Sequence, residues 1–311
     1  MDTPLRLVDE GLDLGARLEG GHADLPRMRE GGLDAVFLAA WIDPLYAPDR
    51  AFVRAASLLD AIRAAADHHP DTCGVATTAS EVRRLAEKGL VALLAGVENG
   101  DALQGRVENV ERLYALGARY LTLTWMQSND VGDAAGADEV HGGLSEFGRE
   151  VVREMGRLGM VVDLAHVAPS TFRDALAAAE GPVVVSHTAT EVRGRHPRNV
   201  SDDQIRAIAE ANGIVGIAFM PRYLAPNEPE AADVAVIADH LECVVEIGGI
   251  DCAALGSDLD GVPALPRGIE GAQSFPRVAE ELERRGYAGD DLGKILGGNW
   301  LRVLDRLAGH P

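Results

Sequence analysis

Residues Val161–Asn199 read VVDLAHVAPSTFRDALAAAEGPVVVSHTATEVRGRHPRN. Two apolar runs in this stretch end on a histidine: Val161 to His166 and Val183 to His187. Runs of β-branched residues bounded by turn signals predict buried parallel strands. The intervening TFRDALAAAE has the composition and length of a helical crossover, so the stretch is a βαβ unit. Both histidines then stand at the carboxyl ends of neighbouring parallel strands, where α/β folds place their chemistry. One such histidine is ordinarily a satisfied surface or core residue. Two at matching positions of consecutive units point to a metal.

Outward from this unit the same signals recur. Core strands are expected from Asp34 to Trp41, Val91 to Glu98, Tyr120 to Trp125, Ile214 to Phe219 and Cys252 to Ser257, with a short accessory strand at Cys73–Ala76. Helical patterns lie between them: from an N-cap at Asp49 to Pro70, around Val107–Tyr114, from Ser145 to Gly159, after the capping-box spacing Ser201–Gln204, and from Ala232 to Ile247. Two more close the chain. The Gly-, Asp- and Asn-rich segment from Met126 to Leu144 is long enough to be a lid or binding loop. No linker or composition shift divides the series, so residues 1–311 are expected to form a single α/β domain, a (β/α)8 TIM-type barrel. Only seven core strands are legible, whereas a closed barrel of this class has eight. The opening MDTPLRLVDEGLDLGARLEGG carries no strand, so the first strand is the one expected to be truncated or missing.

Composition sets the other bounds. A 47% hydrophobic chain of 311 residues can bury a large core. A net charge of −20 argues against nucleic-acid or anionic-membrane partners. Cys73, Cys243 and Cys252 are scattered and odd in number, which fits a reducing, cytoplasmic setting better than a disulfide framework. No apolar run approaches a membrane span. The Gly-Gly pairs lack the strand–GxGxxG–helix context of a dinucleotide site.

Set side by side, the strand ends present Glu98, Trp125, His166, His187 and Asp258 on one rim. Neutral imidazoles and carboxylates suit zinc, and a bridging glutamate can hold two metals about 3.5 Å apart. Taken singly, Glu98 reads as a capping or ion-paired carboxylate and Asp258 as part of an Asx-turn in its DLDG loop. Four such residues on one rim are better explained together.

The segments LLAGVENG, YLTLTW, GLSEFGREVVREMGRLGMVVDLAHV, PVVVSHTATEVRGRHPRNVSDD, ALGSDLDGVP and GGNWLRV resemble the membrane (renal) dipeptidase family, peptidase family M19, of the amidohydrolase-type barrels, over nearly the whole chain. The resemblance implies two zinc ions per chain bridged by Glu98, with His166 and His187 on the second. It places the proton-handling aspartate on Asp258 and the arginine that grips the substrate carboxylate on Arg198. The reaction implied is attack of a metal-bound hydroxide on the peptide bond of a small dipeptide, with a C-terminal D-residue among the candidate substrates. Pairing as a homodimer is a further implication.

Two departures stand out. The HxD motif for the first metal falls with its aspartate on Asp2, and its histidine would lie one place before Met1. His22-Ala23-Asp24 has no apolar strand before it and is rejected as that motif. A weakened first site and a mobile Asp2 are therefore expected, from either a shortened start or a natural open barrel. Trp125 stands where many relatives have histidine, and an indole can only donate, so a pocket wall is its expected role. The alternatives to a dipeptidase are a barrel hydrolase of an N-acyl amino acid or other amide or ester, and a metal-poor binding protein. His68, His69, His240 and His310 read as surface residues, His141 as a solvated loop residue and His196 as a shaper of the Arg198 loop.

Overall fold

The computed structural model describes residues 1–181 and 183–307, so His310 lies outside the described residues. Eight strands form one parallel sheet: β1 (Ala35–Trp41), β2 (Cys73–Val75), β3 (Val91–Glu98), β4 (Ala118–Thr122), β5 (Val161–Asp163), β6 (Val183–Thr188), β7 (Ile214–Ile217) and β8 (Ala253–Leu255). The pairing order is β1-β3-β4-β5-β6-β7-β8, while β2 lies off this path beside β3. β1 pairs along β3 from Ala35↔Ala92 to Trp41↔Glu98, β2 borders Val91–Leu93, and β4 meets β3 from Ala95 to Glu98. Helices flank the sheet, and every residue of β3 and β6 is buried, as expected of apolar strands covered on both faces.

The sheet curls but does not close: among the described residues no ladder joins β1 to β8. It is a TIM-type barrel short of one strand, in agreement with the seven core strands legible in the sequence. The N-terminus bridges the gap at the carboxyl rim, and Trp300 of the last helix meets Phe37 of β1 with ring centres 4.9 Å apart. The Met1 ammonium donates to Phe37 O at 3.0 Å, and Ala39 N donates to Met1 O at 2.8 Å, a one-residue parallel pairing. Asp2 N then donates to Leu259 O, just beyond β8, at 2.9 Å. From there the chain enters a helix, Thr3–Asp9, with Pro4 in its first turn. Asp2 is therefore buried and hydrogen-bonded through its backbone, where a mobile terminal residue was expected. Beneath this bridge the gap is a cavity of about 560 Å³, lined by Phe37, Leu94, Tyr120, Leu255 and Trp300 and reaching Glu98 and His187 at its upper end.

The segment from Met126 to Leu144 holds no helix or strand of its own. Its order comes from Asp133, whose buried carboxylate accepts backbone N–H bonds from Val140, His141 and Gly143. Those donors hold the Asp133 carboxyl below its usual range. The segment is tied to the site by Ala135 N, which donates to His166 O at 2.7 Å.

Candidate metal centre

Glu98 is the last residue of β3, and His187 the fifth of β6. His166 lies three residues beyond β5, after a turn in which Asp163 Oδ1 accepts from Ala165 N at 3.1 Å. The turn puts His166 at φ +70°, and Asp258 and Asp260 sit at +59° and +65°. Left-handed backbone is uncommon for residues with a side chain and gathers at functional sites.

The three side chains meet where water hardly reaches. His166 Nε2 lies 3.0 Å from Glu98 Oε1, His187 Nε2 lies 3.6 Å from the same oxygen, and the two Nε2 atoms are 2.9 Å apart. Zinc ligands at about 2.0–2.1 Å in a tetrahedron stand about 3.3 Å from one another. The three separations bracket that figure, so this donor set fits a zinc ion. Burial, and secondarily the Arg198 charge, holds both imidazoles well below the usual histidine range, leaving neutral rings with lone pairs to give. Burial, followed by repulsion from Asp2 and Asp258, pushes the Glu98 carboxyl well up. A cation among these groups would relieve both stresses.

Asp2 and Asp258 form the adjoining part of the site, packed against Gly261. A Cβ on Gly261 would fall 2.4 Å from Asp258 Oδ1 and 2.9 Å from Asp2 Oδ2. Burial first, then the neighbouring Asp258 carboxylate, raises Asp2 to about 8, and burial raises Asp258 to about 6. Asp260 takes the structural part in the DLDG loop: its carboxylate accepts from Thr3 Oγ1 at 2.7 Å and His22 N at 2.6 Å. That pair of bonds fixes the chain on either side of the N-terminal helix. Asp24 caps the helix Leu25–Glu30, accepting from Arg27 N at 2.8 Å and pairing with the Arg27 guanidinium.

Arg198 is buried, donates from Nη2 to His187 O at 3.2 Å and lies 5.3 Å from the Tyr223 ring centre. Among the described residues its Nε has no partner, leaving donor capacity for a ligand. His196 Nδ1 accepts from Arg198 N at 3.1 Å, and its ring lies 4.9 Å from that of Tyr223. Trp125 packs edge-on against Trp41, ring centres 5.0 Å apart, and stands 6.2 Å from the His166 ring.

Sequence reading passed over four residues at this centre. Tyr223 carried no signal. Thr122, Asp163 and Ser186 belong to three adjacent strands and form one buried cluster, with Asp163 as its hub. An aspartate inside the apolar run VVDLA was the available clue. His240 corrects its surface assignment: it is fully buried, its Nδ1 bonded to Thr190 and its Nε2 2.8 Å from Leu224 O. His69 faces Asp13 at 2.5 Å, and His141 is exposed, with Nε2 2.9 Å from Asn129 O.

Known proteins resemble this chain over most of its length. The family model described as membrane dipeptidase (peptidase family M19) matches residues 1–309. "Dipeptidase aclJ" of Aspergillus oryzae is 33% identical over 293 residues, which is 91% of this chain and 69% of that protein. A metallo peptidase from Rhodobacter sphaeroides, solved with a phosphinate mimic of the dipeptide L-Ala-D-Ala, superposes with a TM-score of 0.90 at 26% identity, covering 98% of this chain and 97% of that one. A structure described as dipeptidase AC, a family M19 metallo peptidase, gives 0.91 at 26% identity over 99% and 97%.

Proposed function

From the premise that this chain belongs to the membrane dipeptidase family, peptidase family M19, and is a metal-dependent, dipeptidase-like hydrolase, we propose that it cleaves the peptide bond of dipeptides, including those with a C-terminal D-residue. The observation that carries the reading is the convergence of Glu98 Oε1, His166 Nε2 and His187 Nε2 at zinc-ligand spacing beside Asp258. The Rhodobacter sphaeroides relative, bound to its L-Ala-D-Ala mimic, supports the stereochemical part.

In this reading Glu98, His166 and His187 hold one zinc, and Asp2 joins Glu98 at a second, weaker site. Zinc bound there would polarise the scissile carbonyl and make a water molecule more acidic. Asp258, raised to about 6, is ionised at neutral pH yet basic enough to take a proton from the attacking water and deliver it to the leaving nitrogen. Arg198 offers a guanidinium to the substrate's terminal carboxylate. Trp125 walls the pocket on the His166 side. No described helix is long and apolar enough to cross a membrane, and the substrate is a small free peptide.

The test is a panel of L,L- and L,D-dipeptides, together with N-acyl amino acids, assayed with added zinc. Turnover of dipeptides that Asp258→Asn abolishes supports the proposal; hydrolysis of the N-acyl compounds alone, or of nothing, overturns it.

A further inference from the structure

Asp163, Ser186 and His187 form a chain of hydrogen bonds running from the carboxyl end of β5 to the ring of His187. Asp163 is fully buried and accepts four bonds. Its Oδ1 takes two backbone amides, Ala165 N at 3.1 Å and Ser186 N at 2.8 Å. Its Oδ2 takes two hydroxyls, Thr122 Oγ1 at 2.5 Å and Ser186 Oγ at 2.6 Å. Ser186 Oγ lies 2.8 Å from His187 Nδ1.

We propose that Asp163 and Ser186 are positioning residues that fix His187 as the Nδ1–H tautomer and so keep its Nε2 lone pair bare for a cation. The metal side of this statement rests on the reading of Glu98, His166 and His187 as ligands. A serine hydroxyl has one proton. Burial pushes the Asp163 carboxyl up and its hydrogen bonds pull it down; two backbone amides on Oδ1 and two hydroxyls on Oδ2 fit an all-acceptor carboxylate, which commits the Ser186 proton to Oδ2. Ser186 Oγ can then only accept from the ring, so Nδ1 bears the hydrogen. The hydrogen bond at one imidazole nitrogen decides which nitrogen is left to bind metal.

The geometry makes Asp163→Asn a directed switch. Ala165 N and Ser186 N can only donate, so the new amide must keep its oxygen at the Oδ1 position. Its NH2 is thereby forced toward Thr122 and Ser186. Ser186 Oγ now accepts from that amide, and its own proton turns to His187 Nδ1. The imidazole then carries its hydrogen on Nε2, facing Glu98, where it blocks the ligand position, since with Nδ1–H the Ser186 proton would be left buried and unpaired. An amide in place of a histidine-orienting carboxylate has this kind of effect.

The test reads the proton directly. Long-range proton–nitrogen spectra of ¹⁵N-labelled, chelator-treated protein, with the His187 signal identified by its loss in His187→Gln, report the tautomer without any metal. Wild type is expected as Nδ1–H and Asp163→Asn as Nε2–H. Competition with a chromophoric chelator should show zinc affinity about 10- to 100-fold lower in Asp163→Asn. Thr122→Val removes a bond from the same carboxylate oxygen without a path to His187, and should leave tautomer and affinity as in wild type. An Asp163→Asn protein that keeps His187 as Nδ1–H overturns the proposal. Should that variant fail to fold, Ser186→Ala decides: unchanged His187 signals and unchanged zinc affinity overturn it, while mixed tautomers and weaker zinc uphold it. If wild type takes up no zinc but Asp163→Asn still switches the tautomer, the metal reading fails and the tautomer assignment stands.

Discussion

His166 Nε2 and His187 Nε2 face one another across 2.9 Å, each ring buried and each kept neutral by its surroundings. Two neutral imidazoles so placed, with a carboxylate oxygen 3.0 Å from one and 3.6 Å from the other, are a preformed cradle for a cation. Replacing either ring by alanine should cost zinc affinity at least about 100-fold, as expected for loss of a direct ligand when outer partners alone cost 10- to 100-fold. Chelator competition measures this, and far-ultraviolet circular dichroism of the metal-free variants should be unchanged. Tight zinc binding by either variant would remove this trio as the primary metal site.

Asp258→Asn keeps the shape of the side chain while removing its basicity. The turnover number on a cleaved dipeptide should fall by about 10²- to 10⁴-fold, the range for loss of a positioned acid–base group. Zinc content measured by atomic absorption should stay at the wild-type level. A variant with normal turnover would reassign the proton transfer.

The metal-free protein should lose stability as pH rises from about 7 to 8. A carboxyl whose folded value is raised from 3.8 to about 8 stabilises the fold while protonated, below its unfolded value, and that contribution is lost as pH climbs through the folded value. The buried histidines act in the opposite sense, but only below about 6.5, where the unfolded chain protonates its imidazoles. Asp2 therefore dominates above neutrality, reinforced by Glu98, whose carboxyl is pushed up in the same sense. A thermal-shift series in chelator should show the midpoint falling by about 2–3 °C over this interval, with a clearly smaller slope in Asp2→Asn.

Gly261→Ala tests how tightly the two aspartates are packed. The added methyl would lie 2.4 Å from Asp258 Oδ1 and 2.9 Å from Asp2 Oδ2, closer than real contacts allow. Gly261 lies outside the left-handed region, so the backbone tolerates alanine and the carboxylates must move. Activity should drop about tenfold or more, since a displacement near 1 Å at a reacting group can cost about 100-fold. The melting temperature should change little. Full activity in this variant would place the reacting atoms elsewhere.

Arg198→Lys replaces a planar fork, braced by His187 O and the Tyr223 ring, with a point charge. The expected result is a KM for dipeptides raised about tenfold or more with a smaller change in kcat, and no added penalty for substrates whose carboxyl end is amidated. An equal loss on amidated and free substrates would argue against carboxylate binding.

The strands were legible as mostly β-branched or small apolar runs, and Glu98, His166 and His187 because they lie at or just beyond the ends of such runs. Strand ends were less so: the YLTLTW run was expected to carry a strand to Trp125, but β4 ends at Thr122, and Leu123 N makes a last bond to β5, donating to Asp163 O at 3.3 Å. The bridge made by Met1 and Asp2 was invisible, because it consists of backbone bonds to Phe37, Ala39 and Leu259, and backbone partners leave no mark in side-chain pattern. Asp2 entered the candidate site through family resemblance alone. The Thr122–Asp163–Ser186 cluster escaped for a related reason: only Asp163 stands out within its own strand, and the sheet's lateral order is what brings Thr122 and Ser186 to it. His240 was misplaced because a polar residue on a helix reads as solvent-facing unless its partners, Thr190 and Leu224, are known.

The left-handed backbone at His166 and Asp258 sets function and stability against each other at single positions. Each such residue costs roughly 1–2 kcal/mol relative to a relaxed backbone, and glycine would release that cost. Glycine would also delete the side chain the site depends on. At these two positions, one a metal ligand and one the proton carrier, thermal robustness and chemistry therefore pull in opposite directions. A lineage released from catalysis could drift to a sturdier barrel that had forgotten its metal.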